Sequence, residues 1–277
     1  MSTPVEQVAV VPWRAGQTGR GRRVLLLHGM ASSPTVWNEF LPLCPDDIEV
    51  WSAHLPWRVD GTTEWSLRSD PVRWVAEAFD KVPGGVDLVV AHSFSSVLLL
   101  DLLTRHADAG IDPADAYGLR GAMFVSPFFR RNSDEFQWER MGTLLDNFES
   151  AMRDGIRAKT ERSIEDGVLA AMARVVCERV GPYGWLRFLD SYLRTPWMRT
   201  ELLTLPCRVL AGARDTTALP NEADRLAEAL PNARASRLAG CGHFPMLERP
   251  AAFFAEVRGF LDTIALPAGI AESTTES

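Results

Sequence analysis

The chain of 277 residues has 46% apolar residues and a net charge of −7, enough for a substantial core, as one domain with an insertion or as two small domains, and without the basic stripe a nucleic-acid surface needs. Its four cysteines (Cys44, Cys177, Cys207, Cys241) lie far apart with no C-x-x-C pair, which argues against a zinc site or a disulfide framework. No apolar run approaches the ~18–20 residues of a membrane span, and residues 1–11 lack a basic stretch followed by an apolar core, so a soluble cytoplasmic protein is expected.

Residues 5–13 alternate enough for an edge strand, and the glycine-rich stretch 14–23 reads as turn. Val24, Leu25, Leu26 and Leu27 form a short continuous apolar run, the pattern of a strand buried on both faces. Similar runs recur at 48–51, 86–90, 122–125 and 207–211, with a weaker one at 233–238. Helical spacing of apolar residues falls between them, at 71–81, 95–105, 221–230 and 251–261. Strands alternating with helices predict a mostly parallel sheet with helices on both faces, whose ligands bind beyond the carboxyl ends of the strands. The regularity breaks over residues 127–204, where 135–153, 165–179 and 185–193 read as helices and no good strand appears. The expected layout is an α/β core of residues 1–126 and 205–277 with a helical cap, 127–204, inserted in it. Residues 268–277 read as a disordered tail.

Three polar residues each follow a strand directly. Ser93 sits in Ala91-His92-Ser93-Phe94-Ser95, where a strand turns sharply into a helix and small residues two before and two after the serine let the two pass. Asp215 ends Gly212-Ala213-Arg214-Asp215, and taken alone it serves equally as a turn residue or helix cap. His243 lies in Gly240-Cys241-Gly242-His243-Phe244-Pro245, where a lone histidine could simply be solvated. A serine hydroxyl is a poor nucleophile until a histidine held by a carboxylate takes its proton, and the three together supply those groups. Leu27-His28-Gly29-Met30 adds a tight turn at a strand end, whose next N–H, with that of Phe94, could receive an oxyanion. His28 itself reads as a structural histidine bonding loop backbone.

These segments, together with the continuation Met246-Leu247-Glu248-Arg249-Pro250, resemble the α/β-hydrolase superfamily with a helical cap, over nearly the whole chain. The resemblance implies the α/β-hydrolase fold, with Ser93 as nucleophile, His243 as general base and acid, and Asp215 orienting the histidine. The N–H groups of Met30 and Phe94 would form the oxyanion hole. Two departures stand out. Where such proteins usually read Asp-x-Pro-Gly-x-Gly, this chain has His54-Leu55-Pro56-Trp57-Arg58, and Ser95 stands where a glycine is usual.

The resemblance implies a serine hydrolase, acting without a cofactor or metal on an ester, thioester or lactone of a small apolar substrate. The same triad also serves acyl transfer, cyclisation or carbon–carbon bond cleavage in biosynthesis, and a non-catalytic ligand receptor of this fold is a further alternative. Trp37, Trp57, Phe128 and Trp138 are candidates for lining the acyl pocket, each with ordinary core packing as the competing reading. Arg130-Arg131 could hold an anionic group or simply end a solvated helix, and His106 reads as a favourable charge at a helix C-terminus. The acyl chain, the oligomeric state and the pathway are left open.

Overall fold

A computed structural model describes residues 8–14, 21–58, 64–68, 70–158, 160 and 163–264. The expected tail, 268–277, lies outside the described residues. The apolar runs become strands β1 (Ala9–Pro12), β2 (Arg22–Leu27), β3 (Ile48–His54), β4 (Leu88–His92), β5 (Gly121–Val125), β6 (Cys207–Gly212) and β7 (Ala233–Leu238). They pair in the order β1-β3-β2-β4-β5-β6-β7, with only β1 antiparallel. Every residue of β4 and β5 is buried, which is why those segments carry no polar alternation. β7, at the sheet edge, is half exposed, and its sequence signal is correspondingly weaker.

The helices are α1 (Val72–Asp80), α2 (Phe94–Asp108), α3 (Pro113–Tyr117), α4 (Trp138–Ala158), α5 (Asp166–Leu193), α6 (Pro220–Ala229), α7 (Pro245–Glu248) and α8 (Pro250–Thr263). α2 follows β4 without a gap and is buried on all sides from Phe94 to Thr104, so leucine-rich periodicity there reflects a central helix rather than an amphipathic one. α3 and α7, each shorter than two turns, have no counterpart in the sequence reading. His106, near the end of α2, donates from Nδ1 to the Leu102 carbonyl and meets Tyr117 Oη through Nε2, which makes it a tie between α2 and α3.

Residues 126–206, between β5 and β6, hold α4, α5 and short 3₁₀ turns, with no strand among the described residues. The two helical patterns at 165–179 and 185–193 are the two halves of α5. Gly181 breaks it at φ 64°, ψ 175°, next to Pro182, which has no N–H to continue the ladder. Ring contact between Phe148 and Trp185, 3.9 Å between centroids, fastens α4 to α5.

Strand register sets up the site. Leu27 of β2 lies beside Ala91 of β4, His92 beside Val125 of β5, and Val125 beside Leu210 of β6. The carboxyl ends of the four central strands are therefore level. The residues that follow them, His28 to Met30, Ser93, Ser126 and the turn to Asp215, emerge on one edge.

Candidate active site

β4 passes into α2 through Ser93, which stands at φ 56°, ψ −120°. A non-glycine residue is strained there, and the surroundings must hold it. The Ser93 N–H donates to the Val125 carbonyl at 2.8 Å, and Ser96 Oγ donates to the Ala91 carbonyl at 2.6 Å. Across the turn, Gly29 leaves no room for a side chain: a Cβ there would come within 2.9 Å of His92 Nδ1 and 3.0 Å of Ser93 Cβ.

Ser93 Oγ lies 3.0 Å from His243 Nε2, and His243 Nδ1 lies 2.8 Å from Asp215 Oδ2. A carboxylate only accepts, so Nδ1 carries the ring proton and Nε2 presents a lone pair to the serine hydroxyl. The other oxygen, Asp215 Oδ1, accepts the N–H groups of Thr217 (2.9 Å) and Ala218 (3.0 Å), which fixes the plane of the carboxylate. All three side chains are buried among the core. Phe94, as the first residue of α2, has an N–H with no acceptor inside the helix.

Two residues outside the sequence-derived set hold the histidine loop. Glu248 of α7 accepts the Gly242 N–H at 2.7 Å and the Phe244 N–H at 3.0 Å, gripping the backbone on both sides of His243. His92 donates from Nε2 to the His243 carbonyl at 2.9 Å. The segment Met246-Leu247-Glu248 carries part of the family resemblance, but only the fold shows the Glu248 carboxylate reaching back by six residues. Cys241, in the same loop, is a poor competing nucleophile, because burial pushes its thiol up to about 12.

Gly212, at the end of β6, brings the aspartate and histidine loops together. A Cβ at this position would run into the carbonyl oxygens of Gly242 and Cys241, which are backbone atoms and cannot swing away. Gly212→Ala is therefore expected to part the two loops, costing about 1–3 kcal/mol of stability and most of the activity. Denaturant midpoints and turnover check this; a variant equal to wild type in both would show that the contact is not needed.

A sequence model of the Alpha/beta hydrolase family matches residues 24–257, which include the serine, the aspartate and the histidine. The chain belongs to the alpha/beta hydrolase family. It is 26% identical over 247 residues to a pimeloyl-[acyl-carrier protein] methyl ester esterase of Aromatoleum aromaticum, covering 82% of this chain and 93% of that protein. It is 40% identical over 260 residues to the polyketide synthase ThaQ of Burkholderia thailandensis, covering 88% of this chain but only 12% of the synthase. Among solved structures, a thermophilic esterase from Thermogutta terrifontis superposes with a TM-score of 0.59 at 18% identity, covering 92% of this chain and 93% of that one.

In this alpha/beta hydrolase the aromatic residues near the triad are not all those expected from sequence. Phe128 is buried 6.2 Å, ring to ring, from His243 and meets Phe188 (4.8 Å) and Tyr192 (5.4 Å) of α5. Phe188 also reaches Phe94 at 6.1 Å, so α5 packs against the turn that carries Ser93. Trp57 is buried edge-on to Phe94 at 5.3 Å. Trp37 is fully buried, and its ring stacks on Phe253 of α8 at 6.3 Å. Trp138 is the first residue of α4, and its side chain lies outside the described ones. Phe188 and Trp65, which meet Phe94 at 6.1 and 6.0 Å, are not among the residues expected from sequence, since an apolar pattern signals burial and not which surface a ring meets.

Charged groups on both sides of this edge also emerge only in three dimensions. Arg130 does not face solvent: it pairs at 3.0 Å with Glu222 of α6, itself buried. Glu222 Oε2 accepts the Phe129 N–H at 2.8 Å and the Tyr192 hydroxyl at 2.9 Å, tying both ends of the 126–206 segment to the core. Arg131, beside it, is exposed. On α4, burial holds the Asp154 carboxyl above the ordinary range, Arg157 and His243 oppose this, and Glu248 and Asp215 add to it. Among the described residues no group of three His, Cys, Asp or Glu side chains could hold a metal, and no helix is long and apolar enough to cross a membrane.

Proposed function

We propose that the protein is a serine ester hydrolase acting on a small acyl substrate with an apolar part, through an acyl-enzyme on Ser93. The observation that carries this reading is the continuous chain Ser93 Oγ, His243 Nε2, His243 Nδ1, Asp215 Oδ2, with links of 3.0 and 2.8 Å, on a serine at positive φ. Ser93 Oγ bonds to the ester carbonyl carbon as its proton passes to His243 Nε2. The leaving alkoxide departs with that proton. Water, deprotonated by the same nitrogen, then bonds to the acyl carbon; the bond from Ser93 Oγ to that carbon breaks, Oγ takes the proton back from His243 Nε2, and the acid is released. The Phe94 and Met30 N–H groups donate to the substrate oxygen on which negative charge develops.

Residues 127–204 act as a cap whose Phe188 and Tyr192, with Phe128, form an apolar wall for the acyl part. The relative that acts on a methyl ester of a carrier-bound acyl chain supports ester over amide substrates. The segment of a polyketide synthase supports an acyl chain from biosynthesis, and with it the thioester, acyl-transfer and cyclisation variants of the same chemistry. A panel of p-nitrophenyl esters from acetate to decanoate tests the reading. The expected result is turnover with an optimum at one chain length and none in Ser93→Ala. Equal turnover in Ser93→Ala would overturn it.

A further inference from the structure

We infer that Trp57, with Ser95, is a positioning residue that fixes the direction of the Met30 N–H and so sets the strength of the oxyanion hole; this rests on the serine hydrolase reading above.

The Met30 N–H and the Gly29 carbonyl belong to the same trans peptide, so whatever holds the carbonyl aims the N–H the opposite way. The Gly29 oxygen accepts the Ser32 N–H at 3.3 Å and contacts His28 Nδ1 at 2.9 Å. His28 Nε2 must be an acceptor, because its partner at 3.2 Å is the Leu55 N–H. The neutral ring therefore carries its proton on Nδ1 and donates it to the Gly29 oxygen.

Trp57 and Ser95 hold the peptides on either side. The His28 carbonyl accepts Ser95 Oγ at 2.5 Å and Trp57 Nε1 at 3.2 Å. The Trp57 carbonyl in turn accepts the Ala31 N–H at 2.9 Å, and Ala31 stands at φ 54°, a conformation that needs such support. Trp57 thus grips the chain before and after the Gly29–Met30 peptide. Its ring also lies edge-on to Phe94, the residue that supplies the second donor. One buried indole thus touches both halves of the proposed hole, through its N–H on the His28 carbonyl and its ring against Phe94.

The test compares wild type, Trp57→Phe and Ser95→Ala. The first keeps a ring against Phe94 and loses the N–H; the second removes one oxygen. In each, the His28 carbonyl keeps its other donor, so folding should survive, and Ser95→Ala suffices if Trp57→Phe does not fold. The readouts are the rate of fluorophosphonate modification, and kcat and KM for p-nitrophenyl butyrate. Both variants are expected to lose roughly tenfold or more in modification rate and kcat, with KM within about twofold, since a misaimed donor weakens only the transition state. Rates within about twofold of wild type in both folded variants, or a loss confined to KM, would overturn the inference. A wild-type protein that does not react with the fluorophosphonate at all would instead overturn the hydrolase reading.

Discussion

Asp215→Asn is expected to leave the fold intact and lower kcat by roughly four orders of magnitude. The reason is a tautomer. In the wild type, Asp215 Oδ1 accepts from Thr217 and Ala218, and Oδ2 faces His243 Nδ1. An asparagine would keep its oxygen on the two N–H groups, since only an oxygen can accept them, and would turn its NH₂ toward Nδ1. His243 would then present a lone pair to the amide and an N–H to Ser93, the wrong way round for taking a proton. Steady-state rates with an unchanged melting temperature check this. A loss below about tenfold would mean that a different acid orients His243.

The second large effect is on stability, at Glu222. Glu222→Ala would leave Arg130 without its partner and the Phe129 N–H and Tyr192 hydroxyl without an acceptor, all at the junction of the 126–206 segment with the core. Where Glu222 is ionised, breaking one side of a buried pair costs about 3–5 kcal/mol, well above the ~0–1 kcal/mol of the exposed pairs elsewhere on this chain. Burial pushes the Glu222 carboxyl up to about 7, against the opposing pull of Arg130, the Phe129 N–H, Tyr192 and Arg225.

That shift has a definite sign. Between the ordinary carboxyl value of 4.5 and about 7, the folded protein holds a proton that the unfolded chain has released. The stability contributed by this group therefore falls as pH rises through that window and is flat above it. Relative to Glu222→Gln, wild type is expected to lose up to about 3 kcal/mol between pH 5 and pH 8 in urea unfolding. Parallel pH profiles for the two proteins would contradict the assignment.

The strands, and the placement of Ser93, Asp215 and His243 at strand ends, were legible in the sequence for related reasons. A strand covered on both faces must be apolar throughout, so β2, β4 and β5 announced themselves, while half-exposed β7 did so faintly. Ser93 needs Ala91 and Ser95 beside it, and Asp215 and His243 need turns at strand ends, so local sequence carries much of the site. What decides the rest is which residues meet across the fold. Trp37 and Phe188 look alike as aromatics in apolar surroundings, yet one stacks on Phe253 of α8 and the other packs against Phe94. Glu222, in the first turn of α6, reads as a favourable charge at a helix start, and nothing local shows that Arg130 and Tyr192 converge on it from 92 and 30 residues away. Trp57 and Ser95 were visible only as departures from a pattern; their shared partner, the His28 carbonyl, appears once β2, α2 and the loop after β3 are placed together.

The central claim is that Ser93 is an activated nucleophile facing an oxyanion hole. Intact-mass spectrometry after fluorophosphonate treatment tests it most directly, because the probe needs no knowledge of the natural substrate. The expected result is a single adduct on wild type and none on Ser93→Ala. A folded wild-type protein that gains no adduct, or a Ser93→Ala variant that gains the same one, would contradict it.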